Sequence, residues 1–165
     1  DRLYESQDII DHLFKHYGKT GKTPKKYAHY PKIPVAAIAG TVLNGLRGGM
    51  VIPKIKDRPT PELLLELWGF EASPYTRIVR AVLSELEVPF VFHNVAKERW
   101  QDYGPAKLRL KPGKYEPLPG GKREHLFEMM GNTIQLPYLV DPNTGVSMFE
   151  SAEIVKYLKQ QYGTA

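Results

Sequence analysis

The chain has 165 residues, 42% hydrophobic and 25% charged, a globular composition with room for one ordinary domain plus extra segments. It has no cysteine, which excludes disulfides, thiolate metal sites and thiol chemistry by the chain itself. The net charge of +5 is uneven: residues 19–61 hold nine Lys or Arg (Lys19, Lys22, Lys25, Lys26, Lys32, Arg47, Lys54, Lys56, Arg58) against Asp57 alone, about +8, so the remainder is near −3. The basic balance therefore belongs to a linker and not to a domain, which argues against a nucleic-acid partner.

The first predicted element is a helix over residues 4–17, YESQDIIDHLFKHY, with Ile9, Ile10, Leu13 and Tyr17 on one face and Gly18 as its stop. No signal or transit peptide precedes it, so the chain reads as a piece of a longer precursor. Residues 19–34 are rich in Lys, Pro and Tyr without periodicity and read as an extended linker. Residues 33–52, IPVAAIAGTVLNGLRGGMVI, are apolar and punctuated by glycine. Pro34 and Arg47 leave too short a clean run for a bilayer span, which needs roughly 20 apolar residues. Two readings stay open: a segment packed on the protein's own surface, or a membrane-surface or partner-docking segment anchored by basic flanks through residues 33–58.

A compact unit follows. Leu63–Trp68 predicts a strand buried on both faces. Residues 73–88 predict a helix, with Ser73 as N-cap, Pro74 in the first turn, and Ile78, Val79, Val82, Leu83 and Leu86 as its apolar stripe. PFVFHNV is a second strand. Residues 97–121 form a polar insertion, and KREHLFEMMG a short helix ending at Gly131. LPYLVDP and VSMF are strands joined through the turn sequence DPNTG. The closing helix, ESAEIVKYLKQQYG, carries Ile154, Val155, Leu158 and Tyr162 on one face. The order β-α-β-α-β-β-α is a right-handed βαβ unit followed by a hairpin and a helix, an α/β fold of thioredoxin-like order with a four-stranded mixed sheet.

Three stretches, LELWGFEASPYTRIVRAVLSELEVPF, LPYLVDPNTG and MFESAEIVKYL, resemble the N-terminal, thioredoxin-like domain of glutathione transferases. The resemblance is greatest to plastid proteins of plants and algae that carry two such domains in tandem. It covers residues 62–163 and is poorest across the insertion. The first helix also matches the last: at an offset of 145 residues they share Glu, Ser, Ile, Leu, Tyr and Gly. The resemblance thus implies three parts: residues 1–18 as the final helix of a truncated first domain, 19–61 as linker, and 62–165 as a second, complete domain. It also implies a chloroplast location and protein partners, including subunits of a plastid membrane complex.

The family's chemistry needs a nucleophile or hydroxyl at the N-terminus of the first domain helix, where the dipole and free N–H groups stabilise a thiolate. Ser73 holds that position with Tyr75 beside it, and SPYT puts Ser73 and Thr76 at the two positions where dithiol relatives carry cysteine. Hydroxyls form no disulfide, so thiol–disulfide exchange is excluded. By resemblance, Leu136–Pro137 is a cis bond that presents backbone to the cysteinyl part of glutathione. Glu150 and Ser151 would then hold the amino and carboxylate groups of the γ-glutamyl part. Each also has a plain structural role: Ser73 as a helix cap, Pro137 as the start of an edge strand, Glu150–Ser151 as a cap.

No resident cofactor or metal is expected, and glutathione is the one small ligand the resemblance implies. The five histidines are scattered; His12 and His16 have i, i+4 spacing but lack a third ligand. The resulting expectation is a non-catalytic binding or scaffold module, with a serine-type glutathione transferase or glutathione-binding protein using Ser73 as the alternative.

Overall fold

The structure, a computed structural model, describes residues 3–28, 35–43, 45–52, 58–99, 102 and 115–163. The basic loop at 107–114, His29, Lys32, Pro34, Lys54 and Lys56 lie outside the described residues. The chain divides into two compact units, Asp1–Gly45 and Leu46–Ala165.

In the first unit, helix α1 spans Ser6–Tyr17 and α2 spans Val35–Leu43, with a single 3-10 turn at Lys25–Tyr27. The linker read as extended is thus partly helical. Its Tyr27 ring stacks on Phe14 of α1 at 5.4 Å, and Thr23 donates a 2.6 Å hydrogen bond to Asp11. These two contacts fold the chain back along α1. Helix α2 is almost wholly apolar, yet Ile38, Val42 and Leu43 are exposed. Among the described residues no helix is long and apolar enough to cross a membrane.

The second unit contains β1 (Leu65–Gly69), α3 (Pro74–Glu85), β2 (Phe90–Asn94), α4 (Lys122–Met129), β3 (Tyr138–Asp141), β4 (Val146–Phe149) and α5 (Ser151–Tyr162). The expected β-α-β-α-β-β-α order is observed. The sheet runs β2-β1-β3-β4, with β1 parallel to β2 and antiparallel to β3, and β3 antiparallel to β4. Alternation along β1 sends Leu65 and Leu67 to one face and Trp68 to the other.

The main core lies on the first face, where Leu65, Leu67 and Leu139 meet Val79, Val82 and Leu83 of α3 and Ile154, Leu158 and Tyr162 of α5. Each fully buried aliphatic contributes about 1.5–3 kcal/mol. The opposite face has a smaller core of Trp68, Val95 and Leu126 under α4. Toward its open edge, Glu66 pairs with His93 at 3.1 Å, and the His93 ring stacks on Trp68 at 4.0 Å.

Two expectations need correction. The strand begins at Leu65, leaving Leu63 and Leu64 exposed, because Asn143 takes both backbone groups of Leu63 (2.8 and 2.9 Å). Ile78 is outside the α3 stripe and 37% exposed; Thr76, at the spacing that precedes Val79 and Val82, is fully buried instead. The glycine-rich stretch before the domain is not free chain. Gly48 N–H donates to the Glu85 carboxylate at 2.9 Å, Ser84 Oγ donates to Gly48 C=O at 3.0 Å, and Ile52 N–H donates to Glu85 C=O at 2.9 Å. Gly48 has φ 77° and lies so near Ala81 that a Cβ would come within 3.1 Å of it. Residues 46–52 are therefore packed on the unit's own surface, over the α3–β2 connection.

Candidate functional site

Strand register decides where the predicted residues meet. The last residues of β1 pair with the first of β3 (Trp68 with Tyr138), and Tyr138 pairs with Phe149, the last of β4. The loop after β1 holding Ser73, the segment before β3 holding Leu136–Pro137, and the β4–α5 junction holding Glu150–Ser151 therefore converge at one end of the sheet. The strap of residues 46–52 lies against the other end, where a recess of about 410 Å³ is bordered by Gly48–Val51 and the α3–β2 connection.

Ser73 is 3% exposed, has extended backbone, and its Oγ accepts the Thr76 N–H at 3.3 Å. It caps α3, with Pro74 following as the first helical residue. Thr76 is fully buried and lies against the end of β1. A Cβ on Gly69 would sit 2.5 Å from Thr76 Cγ2 and 2.7 Å from its Oγ1. Among the described residues the Thr76 hydroxyl has no hydrogen-bond partner, an unusual state for a buried oxygen. Tyr75, between them, projects outward and is 57% exposed.

The Leu136–Pro137 bond is cis, with Pro137 buried and Leu136 half-buried beside Trp68 and Tyr138. At the third corner Glu150 has φ 74° and ψ 109°. A non-glycine residue there costs of order 1–3 kcal/mol and persists only where its surroundings hold it. Glu150 is the N-cap of α5 through its carbonyl, which accepts the Ile154 N–H at 3.0 Å, but its side chain makes no hydrogen bond to the first turn. Instead Gln135 Nε2 donates to the Glu150 carboxylate, tying the segment before Pro137 to the start of α5. Ser151 opens the helix and is half-buried. The N-terminal turn of α5, with no side-chain cap, faces this corner and can meet an anionic group.

Sequence reasoning missed Gln135; its one signal is a polar amide between the apolar Ile134 and Leu136 just before Pro137. It also missed the lock beneath the β3–β4 turn. Asp141 is fully buried and accepts from Tyr162 OH (2.5 Å), Tyr157 OH (2.7 Å), Asn143 N–H (2.9 Å) and Asn143 Nδ2 (2.8 Å). Burial would raise its pKa, but these donors outweigh it and hold the carboxyl below its ordinary value. Burial and the Asp141 carboxylate, against the Thr144 hydrogen bond, leave the Tyr157 phenol pushed up to about 12, and burial with the same carboxylate raises Tyr162 as well. A second missed residue, Arg123 of α4, is buried and donates to Ala96 C=O, Val95 C=O and Tyr115 OH at 2.8, 3.2 and 3.2 Å. The His12 and His16 rings lie 4.3 Å apart on α1, tilted by 44°, and among the described residues no cluster of three or more His, Asp or Glu could hold a metal.

No curated protein and no solved structure matches the chain. The family model described as "Glutathione S-transferase, N-terminal domain" matches residues 67–165, from the middle of β1 through α5 and over every corner of the site, and the chain belongs to that family.

Proposed function

We propose that this protein is a non-catalytic binding module of the glutathione transferase N-terminal family, a thioredoxin-like domain that engages a partner protein and performs no group transfer. Ser73 carries this reading. Its oxygen is buried and committed to the α3 cap, whereas a reacting hydroxyl must come within about 2.6–3.2 Å of the group it serves. Thr76, at the second thiol position, is sealed against Gly69. The resemblance to tandem plastid proteins supports a docking role on a protein assembly of the plastid, including a membrane-bound one.

The test is a conjugation assay on the full chain with glutathione and an aryl halide electrophile. The expected rate is the uncatalysed background, equal in wild type and Ser73→Ala. Turnover that disappears in Ser73→Ala overturns the reading and selects a serine-type transferase.

A second reading, glutathione binding at the same end of the sheet, is favoured by Glu150. Its strained backbone and the tie of its side chain to Gln135 are not needed for capping through its carbonyl. Titration calorimetry at millimolar glutathione separates the two. Heat lost in both Glu150→Gln and Ser151→Ala selects glutathione binding; the absence of heat in the parent removes it.

A further inference from the structure

Residues 4–18 and 149–163 are identical at six of fifteen positions, and the structure shows what the shared apolar positions do in α5. Ile154, Leu158 and Tyr162 are at most 2% exposed, seated between the sheet and α3. Their counterparts Ile9, Leu13 and Tyr17 of α1 are 39%, 49% and 82% exposed, and no described residue of α1 is buried. The two helices also end alike. Gly18 donates its N–H to Phe14 C=O and Gly163 to Lys159 C=O, each at 3.0 Å. A Cβ at either glycine would lie impossibly near that same carbonyl oxygen, at 2.4 and 2.2 Å. Length, apolar spacing and stop are therefore shared, while the covering layer differs.

The neighbouring face of α1 is already occupied within its unit: Phe14 stacks on Tyr27 and Asp11 accepts from Thr23. The counterparts of these two residues in α5 are the exposed Lys159 and Lys156. The linker of the first unit thus covers the side of α1 that α5 turns to solvent, and leaves open the side that α5 buries.

We propose that the Ile9–Leu13–Tyr17 face of α1 is a docking surface for a thioredoxin-like layer, a sheet backed by one helix, whose own closing helix is absent. The chemistry of the slot follows from α5. It is aliphatic, lined as by Leu65, Leu67 and Val79, and ends in a carboxylate placed like Asp141 to accept the Tyr17 hydroxyl. At the position of Tyr157, α1 offers His12, so the second donor to that carboxylate is an imidazole.

The proposal is tested in the full chain by replacing residues 151–163 with the sequence of residues 6–18. This retains Ile154, Leu158 and Tyr162 and changes the rest of the helix surface. The expected result is a cooperative melt within about 15 °C of the parent. That melt should fall further on Tyr162→Phe in the graft and be lost on Leu158→Asp. A graft with no cooperative melt, or one indifferent to Tyr162→Phe, overturns the proposal. In the unaltered chain, concentration-dependent dimerisation abolished by Leu13→Asp also overturns it, by assigning the face to a second copy.

Discussion

At the scale of single residues, the buried carboxylate of Asp141 has the largest energetic consequence. Four donors hold it, and its pKa lies below the ordinary value, so its contribution to stability is complete above the unfolded-state pKa of about 3.9 and is lost as the pH falls through the lower folded value. Tyr162→Phe removes one charge-assisted hydrogen bond and should cost about 1.5–3 kcal/mol at neutral pH. The penalty should shrink below about pH 4, read from urea melts at several pH values, because the wild type then loses the same interaction. Gly69 is a second determinant. Gly69→Ala forces a methyl into Thr76 and should destabilise by about 1–3 kcal/mol, with Thr76→Ala restoring most of the loss in the double variant. A double variant no better than Gly69→Ala would show that the clash lies elsewhere.

At the scale of elements, α4 owes its position to Arg123. A helix of eight residues has little stability alone, and its buried guanidinium reaches back to the carbonyls after β2 and to Tyr115 within the insertion. Arg123→Ala should lower stability by about 2–3 kcal/mol. Arg123→Lys should recover little, since one ammonium cannot reproduce a planar fork; equal denaturation midpoints for Lys and Arg would refute this.

This element also shows how far local sequence carries. Ser73-Pro74 and the terminal glycines announce helix ends because their chemistry is local. DPNTG announces the hairpin for the same reason. The start of β1 and the outward turn of Ile78 were not legible, because Leu63 and Leu65 are equally apolar and the difference is made by Asn143, eighty residues away in the chain. Of the site, Ser73, Pro137 and Ser151 were visible as motif residues. The backbone of Glu150 was not, because glutamate carries no signal for positive φ and Gln135 reaches it only in the folded chain.

At the scale of the whole molecule, charge and apolarity are segregated along the sequence. Residues 19–61 hold a net charge of about +8 around the apolar α2, whose Ile38, Val42 and Leu43 are exposed. Each basic residue near an anionic membrane is worth about 1 kcal/mol. The full chain should float with vesicles rich in anionic lipid, less at high salt, and Ile38→Glu with Val42→Glu should reduce flotation several-fold. Equal flotation of parent and variant would remove the membrane-surface role of residues 33–58.

The strap at residues 46–52 has a mechanical consequence. Its polar ties to Ser84 and Glu85 run from a short stretch of backbone to the end of one helix, whereas β1 is held in the sheet by partners on both sides. A pull on the chain from its N-terminal side should therefore peel the strap one bond at a time before load reaches the strands in shear. The strap is expected to act as a fuse, lengthening at low force while the sheet keeps its shape, which single-molecule pulling would read as a small extension ahead of the main unfolding step.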